Sequence, residues 1–289
     1  MKDPYLYEDV PVLVNKLNIK NEKLLSKAEA DITVIKLLSI DLLKGRKTLN
    51  VEYLKDIHRH IFEDIYPFAG ELRTIHIEKP EKVLGGDTVR YAAPNDIDKM
   101  IIHYIDRMDK VKWSTVQLDD RALEFSKCIA GIWQAHPFRE GNTRTIMTFA
   151  CHYAEAHGFP LDKQIFSENA GYVRNALVKA SDGMYAEYQF LSKILKHSMI
   201  LGEEAYIIDK IKAAGFKPTN TLIDDMKKLN QTFLKLHSVK DLKTYQQNID
   251  SLDPDKRELV QGIVKDFAQE EKKEKHKEIK KGKGFDLEI

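Results

Sequence analysis

The residues from His136 to Arg144 bring an imidazole, a carboxylate, an amide and a guanidinium together within nine positions. The histidine supplies a base that titrates near neutral pH, and the glutamate four residues later supplies a hard oxygen ligand for a divalent metal. The Gly-Asn-x-Arg sequence that follows brings hydrogen-bond donors to phosphates at a helix start. The segment therefore predicts a nucleotide site that transfers a phosphate-containing group.

Two apolar stripes flank this segment and must position it. The first recurs every three to four residues, as one face of a helix does, and comprises Leu118, Ala122, Phe125, Ile129, Ile132 and Trp133. The second comprises Ile146, Phe149, Ala150 and Tyr153, and Gly158 and Pro160 mark its end. We expect a short loop between two packed helices, with the positive dipole end of the second helix facing the loop.

The segment resembles the core motif of the Fic-domain family, H-P-F-x-(D/E)-G-N-x-R. Residues 58–73 are similar to the family segment that leads into a target-docking hairpin, and residues 167–177 are similar to the helix after the motif helix. Residues 3–7 are similar to the start of toxin-like and secreted-effector members. The resemblance covers residues 1–200, predicted to be the catalytic domain. It implies an all-α Fic-type helical bundle with a small β-hairpin flap.

Chemistry and resemblance agree on the main roles. His136 is the predicted general base, because its ordinary pKa of about 6.5 lets it take a proton from an attacking hydroxyl. Glu140 is the predicted ligand for Mg²⁺, with substrate phosphates and water filling the other positions. Arg144 is predicted to clamp phosphates bidentately. The remaining predicted nucleotide-binding residues are Phe138, Gly141, Asn142, Thr143 and Tyr172, with Phe138 as an apolar anchor of the loop.

The resemblance also implies a reaction. Family members usually catalyse attack of a protein Tyr, Ser or Thr hydroxyl on the α-phosphate of ATP, which leaves AMP attached and releases pyrophosphate. The residues alone do not separate this reaction from transfer of the terminal phosphoryl group, because both need a base, a metal and phosphate clamps. Related Doc-like proteins have a lysine before the arginine and phosphorylate their targets. Thr143 is neither that lysine nor the common glycine.

A second departure lies three residues after Arg144, where many adenylylating relatives have another arginine and this chain has Met147. Two interpretations stay open. One is a nucleotidyltransferase that acts as a bacterial toxin or effector, and the other is a Fic-fold binding or regulatory protein with an altered nucleotide site. The inhibitory pattern (S/T)-x-x-x-E-(G/N) is not found, since Tyr53 breaks the match that begins at Thr48. A separate small antitoxin-type inhibitor is the alternative.

The alternating residues 73–79 predict a strand, and residues 89–92 predict a returning strand after a turn that contains Gly85 and Gly86. By resemblance, this hairpin is the flap that receives a segment of the target protein as an added strand, through Ile75, His76 and Ile77. The partner implied is a protein with an accessible hydroxyl group.

Composition supports a soluble globular protein. The chain has 289 residues, of which 43% are hydrophobic and 31% charged, and a net charge of +1 argues against a nucleic-acid surface. Cys128 and Cys151 lie on apolar stripes and are predicted to be buried thiols. Neither a signal peptide nor a membrane span is found. A cytoplasmic location is expected, with export by a specialised secretion system left open.

Beyond residue 200 the apolar spacing becomes sparser. Residues 201–268 are predicted to be a small helical C-terminal appendage. Its helices are indicated by Ile207, Ile208 and Ile211, by Leu222, Met226, Leu229, Phe233 and Leu236, and by Leu259, Ile263 and Phe267. Residues 269–289 are rich in lysine and glutamate, a composition that forms a solvated helix or stays disordered.

Overall fold

The computed structural model describes residues 3–43, 48–213, 215–234 and 257 of the chain. Nine α-helices lie within these ranges. They are α1 (Glu22–Leu38), α2 (Val51–Phe62), α3 (Ile97–Asp109), α4 (Leu118–Ala135), α5 (Asn142–Ala156), α6 (Gln164–Glu168), α7 (Ala170–Ala180), α8 (Gln189–Ala213) and α9 (Asn220–Leu234). The predicted all-α class is confirmed.

Helices α4 and α5 are the two helices predicted on either side of the motif. The predicted stripe of α4 is buried from Ala122 to Trp133, and α3 packs against this helix. Tyr153 of α5 stacks on Phe125 of α4, with the ring centroids 6.1 Å apart, and Phe149 contacts Tyr153 within α5. Cys128 and Cys151 are buried thiols in these helices, as predicted. The motif loop is therefore held between two helices of the core.

The predicted β-hairpin is wrong in its secondary structure. Within the described ranges, residues 73–92 form one isolated antiparallel bridge, Pro80 to Thr88, and no strand. Residues 74–80 still alternate between exposed and half-buried, as a strand does. In place of a main-chain ladder, the Arg73 side chain joins the two limbs by donating to the carbonyls of Ile75 and Ala92. Residues 73–92 are called the flap below.

The described residues fall into two compact units. The first comprises those up to residue 112, residues 116–155 and residues 162–198, and it contains the motif. The second comprises residues 113–115, residues 156–161 and those from 199 onwards. Helix α8 runs through the predicted boundary at residue 200, which stays a prediction.

Part of the predicted appendage can be described. Helix α9 buries Leu222 and Met226 of its predicted stripe. The helix predicted around Leu259, Ile263 and Phe267, the end of the α9 stripe at Leu236 and the charged tail 269–289 lie outside the described residues. In the portion of the chain that is described, no helix combines the length and apolarity that a bilayer crossing requires.

Candidate active site

His136 sits where α4 ends, in an unusual backbone conformation. Its φ of 46° and ψ of 58° are left-handed, and its N–H donates to the carbonyl of Trp133 at 3.0 Å. Left-handed geometry is costly for a residue with a Cβ, and such strain persists where the surroundings enforce it, often at functional sites. The left-handed residue ends α4 and begins the motif loop.

The His136 imidazole is buried and neutral. Its side-chain nitrogens Nδ1 and Nε2 are inaccessible to solvent and have no hydrogen-bond partner among the described residues. Burial, followed by the nearby charges of Lys79 and Arg73, holds the pKa of His136 well below its ordinary value. A neutral imidazole with both nitrogens unused by the protein is able to accept a proton.

The motif loop is closed by Asn142. The side-chain oxygen of Asn142 accepts from the Phe138 N–H at 2.9 Å, and its side-chain nitrogen donates to the Phe138 carbonyl at 2.7 Å. Both polar groups of the side chain are therefore used within the loop. The Asn142 side chain therefore holds the loop, and its backbone N–H is the group that can contact the predicted nucleotide.

His58 supports the loop from α2, a role that the sequence analysis missed. The Gly70 N–H donates to its Nδ1 at 2.8 Å, which leaves Nε2 to donate to the Glu140 carbonyl at 3.0 Å. Its ring stacks on that of Phe138, with centroids 3.8 Å apart. Burial lowers the pKa of His58 to about 3. His58 lies among apolar residues that α2 buries, and its residue type alone does not indicate a buried neutral histidine.

The depressed pKa of His58 makes stability fall in acid. An unfolded histidine titrates near pH 6.5, so the unfolded state binds a proton below that pH. The native state does not bind this proton until about pH 3. His58 should therefore lower the free energy of unfolding by about 2 kcal/mol between pH 7 and pH 5. Urea titrations of wild type and His58→Gln at both pH values test this. An equal pH loss in the two proteins would contradict it.

Gly141 is required for two reasons. Its φ is +78°, and an added Cβ would lie 2.2 Å from Cζ of Phe62 on α2. Its carbonyl accepts from both the N–H and the hydroxyl of Thr145, at 3.1 Å and 3.0 Å. Glycine thus lets the loop pass against a buried aromatic ring and enter α5.

The N-terminus of α5 faces the loop with unused donors. The backbone N–H groups of Asn142, Thr143 and Arg144 have no hydrogen-bond partner among the residues the structure describes. The Thr143 hydroxyl accepts from the Trp133 indole N–H at 3.0 Å. Free N–H groups at the positive end of a 15-residue helix are suited to binding phosphate.

Arg144 is held in place by α1. Its two terminal nitrogens donate to the Thr33 hydroxyl, at 2.9 Å, and to the Glu29 carboxylate. Its guanidinium lies over the Phe62 ring, 4.9 Å from the centroid. Glu29 also accepts from the Tyr66 hydroxyl. These contacts pre-organise the guanidinium on one side and leave it about one-third exposed.

Glu140, the predicted metal ligand, is half-buried and ionised. One oxygen accepts from the Gly141 N–H at 3.0 Å, and the other pairs with the Lys79 ammonium of the flap at 3.2 Å. Burial alone raises the pKa of this carboxyl, but Lys79 and Gly141 outweigh burial and the net pKa is lowered. The described residues hold no cluster of three metal ligands. One ionised carboxylate therefore fits Mg²⁺ only if phosphates and water complete its coordination.

The flap borders a cavity of about 700 Å³. Ile75, His76 and Ile77 line it, as do Thr74, Glu78, Lys79, Ala93, Pro94, Asn95, Arg139 and Asp3. Arg139, at the free position of the motif, pairs with Asp3 through two nitrogens, and the Tyr5 hydroxyl accepts from the Thr74 N–H. The N-terminal segment thus forms one wall of the cavity.

Arg73 anchors the flap and was not singled out from the sequence. It is buried, and besides Ile75 and Ala92 it donates to the carbonyls of His136 and Ala135 at 2.8 Å and 3.3 Å. One side chain therefore joins both limbs of the flap to the end of α4 and the motif.

Two residues singled out in the sequence lie apart from the motif contacts. Tyr172 is exposed, and its hydroxyl donates to the Phe190 carbonyl at 3.2 Å, so its predicted role at the nucleotide stays a prediction. Met147 is buried on α5. The cations that the structure does place around His136 are Lys79, Arg73 and Arg174.

Comparison with known proteins agrees with this geometry. The family model described as Fic/DOC family matches residues 48–154, which span α2, the flap, α4 and most of α5. Residues 48–154 form a Fic/DOC domain. The match begins after α1 and ends within α5, so α1 with its Arg144 partners and α7 lie outside the matched residues.

Similar proteins extend the likeness beyond the Fic/DOC domain. Protein adenylyltransferase VbhT of Bartonella schoenbuchensis is 29% identical over 168 residues, which cover 55% of this chain and 32% of VbhT. The chain thus spans about a third of that relative's length. The structure of the BepC effector of Bartonella tribocorum, with bound AMPPNP, is 21% identical, has a TM-score of 0.56 and covers 67% of this chain and 95% of BepC. The type IV secretion system effector BepA gives a TM-score of 0.56 at 19% identity and covers 82% and 76%. These structures support a Fic-type helical fold.

Proposed function

We propose that this Fic/DOC domain transfers AMP from ATP to a Tyr, Ser or Thr hydroxyl of a target protein and releases pyrophosphate. The observation that carries the proposal is a neutral, unpartnered His136 at one end of the motif loop and the free N–H groups of α5 at the other, with Glu140 and Arg144 in the same motif. The adenylyltransferase name of VbhT supports the same reaction, and the AMPPNP bound to BepC supports a nucleotide as the donor.

In the proposed reaction His136 is the general base. The target hydroxyl oxygen forms a bond to the α-phosphorus of ATP, the bond from that phosphorus to the bridging oxygen breaks, and pyrophosphate leaves. The hydroxyl proton passes to one of the two imidazole nitrogens. Because burial and nearby cations keep His136 neutral, the base is ready over the whole physiological pH range.

In the proposed reaction, α5 and Arg144 bind the phosphates. The three free N–H groups at the start of α5 face anionic oxygens without reorganisation, because Asn142 and Gly141 fix the loop. Glu29 and Thr33 hold the Arg144 guanidinium so that it loses little freedom when phosphate binds. Glu140 would hold Mg²⁺ carried by the nucleotide, and that ion would supply Lewis acidity at phosphate oxygens.

In the proposed reaction, the flap binds a segment of the target protein. In the described structure the backbone N–H groups of residues 75–78 have no partner, and the side chains there alternate between exposed and half-buried. Such a segment is an open edge that an extended peptide can complete through main-chain hydrogen bonds. The adjoining cavity offers room for the side chain that presents the hydroxyl.

Label transfer from ATP tests the proposed reaction. Purified protein is added to a bacterial lysate. Parallel samples carry label in the α- or the γ-phosphate, and His136→Ala protein serves as the blank. We expect protein bands labelled only from the α position and only with wild type.

The other outcomes are equally informative. Label only from the γ position would make this chain a phosphotransferase, for which Thr143 at the lysine position is the residue to examine. No label from either position, with nucleotide binding intact by calorimetry, would contradict the transferase proposal and favour a Fic-fold binding protein.

A further inference from the structure

His136 is covered as well as buried. Its two nitrogens are inaccessible, so no hydroxyl, from target or from water, reaches the base in this conformation. Two rings cover it. Trp133 approaches edge-on at 5.3 Å from α4, and Tyr91 of the flap lies over the imidazole at 4.1 Å with an interplanar angle of 32°. Trp133 belongs to the core, so Tyr91 is the ring that flap motion can remove.

Gln134 places Tyr91 over the base. Its carbonyl accepts from the Ala92 N–H at 3.4 Å, and its side-chain nitrogen donates to the Arg90 carbonyl at 3.2 Å. The residues on both sides of Tyr91 are thus attached to α4, two residues before His136. Both hydrogen bonds are long, and the Gln134 to Arg90 bond is exposed, so they are readily exchanged for bonds to water.

The far end of the flap is fastened separately. Glu81 is buried, and both of its oxygens accept from Arg174 of α7, at 2.6 Å and 2.8 Å. Its backbone also closes the turn, accepting from the Gly86 N–H at 3.0 Å and donating to the Asp87 carbonyl at 2.8 Å. The limb that carries Tyr91 is therefore fastened by Glu81 at the tip of the flap and by Arg73 at the Ala92 carbonyl, and its bonds to Gln134 are the weaker contacts between them.

We propose that Tyr91 is a specificity-determining residue of the proposed reaction, whose ring shields His136 from water until a target segment lies along the flap. This inference rests on the proposed function. A general base that faced solvent would activate water, whose oxygen would attack the α-phosphorus, break the bond to the bridging oxygen and release AMP and pyrophosphate. Shielding keeps ATP for the protein hydroxyl, because only a docked segment shifts the limb that carries Tyr91.

The shielding is tested first without any nucleotide. Diethyl pyrocarbonate modifies accessible neutral imidazoles, and the tryptic peptide Cys128–Arg139 contains His136 as its one histidine. Modification of this peptide is followed by mass spectrometry in wild type, Tyr91→Ala and Tyr91→Phe. We expect the rate to rise about tenfold in Tyr91→Ala and to stay near wild type in Tyr91→Phe, which keeps the ring. Tyr185→Ala, at an exposed tyrosine, is the matched control.

Target-free hydrolysis of ATP tests the consequence. Tyr91→Ala should release AMP about tenfold faster than wild type, and the double variant with His136→Ala should release none. An unchanged modification rate in Tyr91→Ala, or a Tyr91→Phe protein that behaves like Tyr91→Ala, overturns the proposal. If modification rises but hydrolysis does not, although lysate proteins are labelled, the specificity role is overturned. If lysate labelling also fails, the proposed function fails and the shielding stands.

Discussion

His136→Ala is expected to lower AMP transfer by about a thousandfold while nucleotide affinity stays within a few-fold of wild type. The base acts on the attacking hydroxyl, whereas the phosphate donors belong to α5 and Arg144. Calorimetry with a non-hydrolysable ATP analogue and label transfer to a lysate protein measure the two quantities separately. The comparison separates a chemical role for His136 from a structural one.

Two further variants make that comparison sharper. His136 has left-handed backbone geometry, which asparagine tolerates better than alanine does, so His136→Asn removes the base with less backbone strain. His103→Ala changes an exposed histidine on α3 and should leave both quantities unchanged. Loss of binding together with transfer in both His136 variants would show that His136 holds the loop together.

The part of the site that the sequence predicted is the part built by neighbours in the chain. A nine-residue motif between two apolar stripes fixed the loop, the end of α4 and the start of α5, because helix periodicity and glycine geometry are local properties. The hydrogen bonds that Asn142 makes within the loop are also local. Thr143 and Met147 were recognised as departures, yet their consequence depends on surroundings that no spacing reveals.

Contacts between residues far apart in the chain could not be predicted from the sequence. Glu29 and Thr33 hold Arg144 from more than 100 positions away, and His58 meets the Glu140 carbonyl from 82 positions away. Their residue types fit ordinary helix positions, so nothing in the pattern marks them. The prediction that the flap contains strands was wrong for a related reason. Alternation predicts which side chains face the same way, but it does not reveal that a buried arginine, in place of a main-chain ladder, joins the two limbs.

Arg73→Met is expected to lower the free energy of unfolding by about 3 to 5 kcal/mol, because it leaves four carbonyls without their charged donor in a buried place. Burial lowers the pKa of Arg73. The loss should spread through the flap. Amides of Glu81 and Gly86, protected by the turn, should exchange hydrogen faster, since both limbs lose their common anchor. Urea titration and hydrogen exchange measure the two effects.

Arg73→Lys is the matched variant, since it keeps the charge but cannot reach the carbonyls of Ile75, Ala92 and His136 together through one ammonium group. We expect it to recover part of the stability and little of the flap protection. If Arg73→Met unfolded within 1 kcal/mol of wild type and left exchange unchanged, the flap would be held from its tip by Glu81 and Arg174. The flap position over His136 would then depend on α7, outside the matched domain, and Arg174→Gln would become the variant that frees it.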